Sequence, residues 1–115
     1  MMNLREINWF VAEKVMNWHV WENEDGELMV TKGYGCYSHC PSFSTNIADA
    51  WPIVEKLKIA VIPQAGEPPK NMKYLAEIDR RPLGGYYEAF AETAPLAICL
   101  AALKSVGIEV EVTEQ

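Results

Sequence analysis

The sequence predicts a mixed α/β domain of the α+β kind, built on an antiparallel sheet, in the order α-β-β-α-β-β-(β)-α. Three observations predict it. Segments with helical apolar spacing begin at capping residues, at Asn3, at residues 44–46 and at Thr93. Apolar runs with strand-like alternation are joined by short turns containing Gly or Pro. The helix-linked crossovers that parallel strands require are missing from these connections. At 115 residues, half of them hydrophobic, the chain reads as a single domain, 1–115, with a core of its own.

Asn3 and Glu6 stand at capping-box spacing, and Ile7, Phe10 or Val11, and Val15 share a face, which predicts a first helix ending near Met16. Residues 18–22, WHVWE, change to alternation, and Asp25-Gly26 marks a hairpin turn into a strand over 28–32. Residues 33–44, GYGCYSHCPSFS, read as a loop that Tyr34, Tyr37 and Phe43 pack down. A helix then runs to about Lys58, with Ile47, Trp51, Val54 and Leu57 as its buried stripe. Pro52 fits this helix if the start is late or tightened, since proline removes a backbone donor from a helix interior.

Residues 59–62 and 72–78 are expected to pair as strands across the proline-rich loop 63–71. Residues 79–85 form a tight loop before a third strand over 86–90. Thr93 caps the last helix, Pro95 falls acceptably early, and Gly107 stops it. Leu96, Cys99, Leu103 and Val106 make its apolar face, widened by Ile98 and Ala102. The tail 108–112, IEVEV, alternates strictly and is expected to add an edge strand or to pair with another subunit.

The net charge of −6 argues against a nucleic-acid polymer as partner, because backbone binding needs basic surface. It leaves room for a small anion held by a few local cations. The longest apolar run, 94–103, is about half of the ~20 residues a membrane helix needs, so no membrane partner is expected. An odd cysteine count and a start without a leader pattern fit a reduced cytosolic protein.

Cys36, His39 and Cys40 crowd together and could offer thiolate and imidazole to a metal. A structural zinc needs a fourth ligand, and no second CxxC or HxxxH exists, so no metal site is expected. No P-loop, GxGxxG, HExxH or GxSxG occurs, and no catalytic residue can be named, which argues against an enzyme. The stretch 79–87, DRRPLGGYY, holds more promise. Arg80 and Arg81 offer forked donors to phosphate, Gly84 and Gly85 allow close backbone approach, and Tyr86 and Tyr87 can stack on a base. Tyr37 and His39 from the earlier loop could line the same pocket. The plain reading of the same stretch is a connection with solvated arginines.

Two blocks of sequence resemble the phage ABA sandwich domain family. One is PSFSTNIADAW at 41–51, continued by Val54-Glu55-Lys56-Leu57. The other is Phe90-Ala91-Glu92-Thr93-Ala94-Pro95 with Ala97-Ile98-Cys99 and Ala101-Ala102-Leu103. Residues 11–16, ahead of the Trp-rich strand, fit as well. The chain departs from the family pattern at Pro52 and at Leu96, where an acidic residue would complete a capping box with Thr93. The resemblance implies a sheet sandwiched by helices, phage origin, a small accessory role and no transferable active site. With the 79–87 loop it leads to an expected function: an anti-defence binding protein, or sponge, that sequesters a cyclic nucleotide or cyclic ADP-ribose derivative without turnover. Such a protein would need no cofactor and would work as a homo-oligomer in the host cytoplasm. The alternative expectation is an interaction module that inhibits a host factor through the acidic surface or the C-terminal edge strand.

Overall fold

The computed structural model describes residues 2–33 and 35–110. Helix α1, Leu4–Phe10, opens on the expected capping box: Asn3 Oδ1 accepts from the Glu6 N–H at 2.8 Å, and Glu6 Oε1 accepts from the Asn3 N–H at 3.3 Å. It continues as a π-helical turn, Val11–Val15, closed by a bond from the Met16 N–H to the Val11 carbonyl at 3.0 Å. The wider turn carries Val11, Ala12 and Val15 inward beside Ile7.

Strands β1 (His19–Glu22), β2 (Leu28–Gly33) and β3 (Cys36–His39) form an antiparallel sheet in that order. Asn23 Oδ1 organises the first turn, accepting from the N–H groups of Asp25 at 3.0 Å and Glu27 at 2.9 Å, while Gly26 takes a φ of +78°. β3 corrects the reading of this region as a loop. The chain makes a third strand there, exposed along its whole length. Tyr34, expected to pack the region down, lies outside the described residues.

Helix α2, Ile47–Leu57, starts directly after Asn46, whose side chain accepts from the Ala48 and Asp49 N–H groups at 2.9 and 3.3 Å. The start is therefore neither late nor tightened, and Pro52 stands inside the helix. It is exposed, as is Ala48, whose carbonyl loses its helical donor to the proline and is left on the solvent side. The buried face is Ala50, Ile53 and Val54, with Leu57 partly covered. Ile47 and Trp51, expected in the core, are 47% and 50% exposed.

Strands β4 (Ala60–Pro63), β5 (Tyr74–Asp79) and β6 (Tyr86–Ala91) make a second antiparallel sheet in that order, with a 3-10 turn at Lys70–Met72 between β4 and β5. Helix α3, Ala94–Ser105, is capped by Thr93, whose Oγ1 accepts from the Leu96 N–H at 3.4 Å. It is buried from Pro95 to Leu103 on nearly every side, which makes α3 the central helix. It lies on β5 and β6 and packs against α2 and the π-helical turn. Ala76 stands opposite Ala89 in the ladder beneath it, and these residues with Ala97, Ala101 and Ala102 let helix and sheet approach closely. Val20 and Val30 from the first sheet join this same core. The mixed antiparallel architecture is as expected, but the single sheet is two, sharing one set of helices. Residues 108–110 form no strand, and 111 and 112 of the expected tail strand lie outside the described residues.

Candidate functional site

The β5–β6 hairpin presents four of the six expected binding residues. Its loop is closed by bonds from the Arg80 N–H to the Gly85 carbonyl at 2.9 Å and from the Gly84 N–H to the Arg80 carbonyl at 2.7 Å. The two glycines are needed for close approach. A Cβ on Gly84 would stand 2.6 Å from Arg80 Cβ, and one on Gly85 would stand 2.7 Å from the Tyr87 hydroxyl. Tyr87 therefore lies across Gly85, where any side chain would push it away.

Arg81 is held on one side. Asp79 Oδ1 accepts from its backbone N–H and its Nε, each at 3.0 Å, and Asp79 Oδ2 accepts from Nη2 at 2.9 Å. These hydrogen bonds hold the Asp79 carboxyl down at about 2. Arg81 Cζ also lies 4.7 Å from the centre of the Tyr86 ring, a cation–π placement. Arg80 is exposed, and among the described residues its side chain makes no hydrogen bond or ion pair.

Tyr86 is tied at its other end. Glu77 and Glu88 face each other directly in the ladder, and the Tyr86 hydroxyl stands 2.5 Å from Glu77 Oε2 and 2.9 Å from Glu88 Oε2. A phenol has one proton to give, so the hydroxyl bridges two like charges that would otherwise repel. Hydrogen bonding to Glu77, then to Glu88, raises the phenol's pKa well above its ordinary value. Beside Tyr86 and Tyr87 a groove of about 450 Å³ is lined by Glu88, Lys104, Gly107 and Glu109 as well. Lys104 Nζ donates to the Glu88 backbone carbonyl at 2.9 Å.

Tyr37 and His39 stand elsewhere, on the edge of the first sheet. Tyr37 packs edge-on to Trp21 with ring centres 6.1 Å apart, and His39 Nε2 lies 3.0 Å from Glu27 Oε2. Among the described residues, no hydrogen bond or aromatic contact links this pair to the β5–β6 hairpin. Tyr37 and His39 thus belong to the first sheet, and Arg80, Arg81, Tyr86 and Tyr87 to the hairpin of the second. Glu77, Glu88 and Lys104 went unnoticed in the sequence. The glutamates could have been found from their equal distance from the hairpin centre, whereas Lys104 comes from a distant helix.

The cysteines also separate. Cys36 is exposed on β3, and Cys99 is buried in the core, where burial raises its thiol's pKa. Cys40 is half-buried with Sγ 3.8 Å from the Asn8 carbonyl, and burial, then Asp49, pushes its thiol up to about 11. Among the described residues, no three His, Cys, Asp or Glu side chains gather as a metal cluster.

Two three-stranded antiparallel sheets sharing a helical core define a mixed α/β domain of sandwich type. Comparison gives this scaffold its family. The phage ABA sandwich domain profile matches residues 9–103, and the chain belongs to that family. The 2.0 Å crystal structure of a phage protein from Bacillus cereus ATCC 14579 is similar over 96% of this chain and 94% of that one, at 34% identity and a TM-score of 0.76. Comparison with curated proteins finds no match.

Proposed function

We propose that this phage protein acts by sequestration, holding a cyclic nucleotide or cyclic ADP-ribose derivative in the host cytoplasm without turning it over. The observation that supports it is the gathering of Arg80, Arg81, Tyr86 and Tyr87 on one hairpin beside a groove of about 450 Å³. That volume falls in the range of small-molecule sites, roughly 300–1,000 Å³. Asp79 takes two N–H groups of the Arg81 guanidinium and leaves its remaining donors for a phosphate. Glu88 and Glu109 on the groove wall oppose an anion. The phosphate accordingly belongs at the Arg80–Arg81 tip, with the base toward Tyr87. The groove is open, so a second subunit closing over it would complete the site, in keeping with a homo-oligomer.

The test is to mix the protein with a panel of cyclic nucleotides and cyclic ADP-ribose isomers, remove unbound ligand, release by heat and weigh what is recovered. Intact ligand and a raised melting temperature are expected. A converted product would make the protein an enzyme, and no thermal shift across the panel would remove the sequestration reading. Arg80→Glu should abolish capture while leaving Asp79 and Arg81 paired.

A further inference from the structure

β3 ends the first sheet, and all four of its residues are exposed. The Cys40 N–H donates to the Leu28 carbonyl at 2.9 Å, which sets the phase of the ladder. Ser38, two residues back, turns its backbone to β2, so Tyr37 and His39 turn theirs outward. Among the described residues, nothing pairs with the outward N–H and C=O groups of Tyr37 and His39.

The second sheet treats its edges differently. The Gln64 N–H bonds to the Lys73 carbonyl, and by the same alternation Pro63 faces the open side of β4 with no N–H to present. The Arg80 N–H bonds to the Gly85 carbonyl, so Glu88 turns its own carbonyl to the open side of β6, where Lys104 Nζ covers it. Proline and lysine are the residues that blunt sheet edges, and β3 contains neither.

The surroundings of β3 define what fits there. Glu22, Glu24, Asp25 and Glu27 crowd the adjacent β1–β2 turn, answered by Arg5, which lies 3.5 Å from Glu22 and donates to the Gly26 carbonyl. Glu27 reaches His39, which puts a carboxylate at the end of the open edge. On the outer face, Tyr37 is 68% exposed and stands against Trp21, offering aromatic surface that attracts Lys or Arg.

We propose that the β3 edge is a docking site for a basic, extended segment of a partner protein, taken up as a fourth strand of the first sheet. Backbone bonds from Tyr37 and His39 supply the ladder, while the acidic turn and the Trp21–Tyr37 pair select basic side chains at alternate positions. A second copy of this chain is the poorer occupant, because its own β3, residues 36–39, carries no Lys or Arg for the acidic turn to select, and each chain has a net charge of −6. The proposal does not depend on the hairpin's ligand and concerns the opposite sheet.

The probes are short peptides alternating Lys or Arg with Val, Thr or Tyr, titrated into isotopically labelled protein and followed by backbone amide shifts. Shifts are expected at residues 36–39 and 22–27, weakening with salt. N-methylating the peptide edge that faces β3 should weaken binding by about tenfold, from the loss of one or two backbone bonds. Glu24→Gln combined with Glu27→Gln should weaken it similarly. Tyr37→Pro should block it, since that N–H takes no part in the β2 ladder; the methylated peptides repeat this test on unaltered protein. Equal binding of methylated and unmethylated peptides overturns the proposal. So do shifts that avoid β3, and so do β3 shifts that follow protein concentration alone, which would make the edge a self-association surface.

Discussion

Three hydrogen bonds tie Arg81 to Asp79 at the mouth of the β5–β6 hairpin, and they make the pair a pH-sensitive closure of that loop. The side-chain bond from Arg81 first, then its backbone bond and its charge, lower the Asp79 carboxyl from 3.8 to about 2. A depressed folded value means the pair stabilises the fold above the unfolded pKa and loses its contribution as pH falls through the folded one. Asp79→Asn should therefore lower the melting temperature at neutral pH, and the difference from the parent should shrink between about pH 4 and pH 2. A difference that stays constant across that window would show the pair to be energetically silent. Direct titration of the Asp79 carboxyl by NMR checks the same shift without a mutation.

The Tyr86 hydroxyl gives a second, opposite dependence. Removing it by Tyr86→Phe leaves Glu77 and Glu88 facing each other without a bridge. The variant should melt lower at neutral pH, and added salt should narrow the gap by screening the repulsion. Glu77→Gln in the Phe background should restore stability by deleting the repulsion. For the phenol itself the folded pKa is raised, so its stabilisation is complete below the ordinary value near 10 and disappears as pH climbs past it. Ultraviolet titration of the protein against its Tyr86→Phe variant should show that the phenol lost is one that ionises well above the ordinary range. If the phenol lost ionises near its ordinary value, the bridge does not persist in solution.

The face that α2 buries can be tested by comparing two substitutions. Ile53 is fully buried, and Ile53→Ala should cost about 2–5 kcal/mol through lost contacts and a residual cavity. Trp51 is the larger side chain but half-exposed, and Trp51→Ala should cost less than about 1 kcal/mol. Urea unfolding of both variants settles the order. A Trp51 cost above that of Ile53 would return the helix to the orientation its bulkiest residue suggests.

That orientation marks where sequence reasoning succeeded and where it failed. The caps at Asn3 and Thr93, and the cluster 44–46 from which Asn46 caps α2, were legible because each cap joins groups two or three residues apart. The Asp25-Gly26 turn was legible for the same reason. The burial of α2 was not, since stripes through Ile47–Trp51 and through Ala50–Ile53 satisfy the same period and residue size favoured the wrong one. β3 was hidden because a strand exposed on both faces shows no apolar alternation, and the flanking Gly35 and Pro41 read as loop. On the hairpin, Arg81 and the tyrosines were singled out as groups for a phosphate and a base, and the structure shows Arg81 paired with Asp79 and Tyr86 tied to Glu77 and Glu88. Asp79 as the acceptor of the arginine fork was overlooked, and whether Tyr37 and His39 join the hairpin was not legible, since the loops' placement depends on the division into two sheets.

The three cysteines should react in a fixed order, which tests core, cap region and β3 edge in one measurement. Cys36 is exposed on β3 and should be modified first by a thiol reagent on the native protein. Cys40, with its thiol at about 11, is ionised to only about one part in a thousand at pH 8, and the thiolate is the reacting form. Its labelling should be slow and should speed up about tenfold per pH unit toward its pKa, reporting the burial beside Asn8 and the charge of Asp49. Asp49→Asn should accelerate it at constant pH. Cys99, sealed in α3 within the core, should react only when the protein unfolds. Mass spectrometry of partially labelled protein reads all three sites, and rapid native labelling of Cys99 would contradict the central placement of α3.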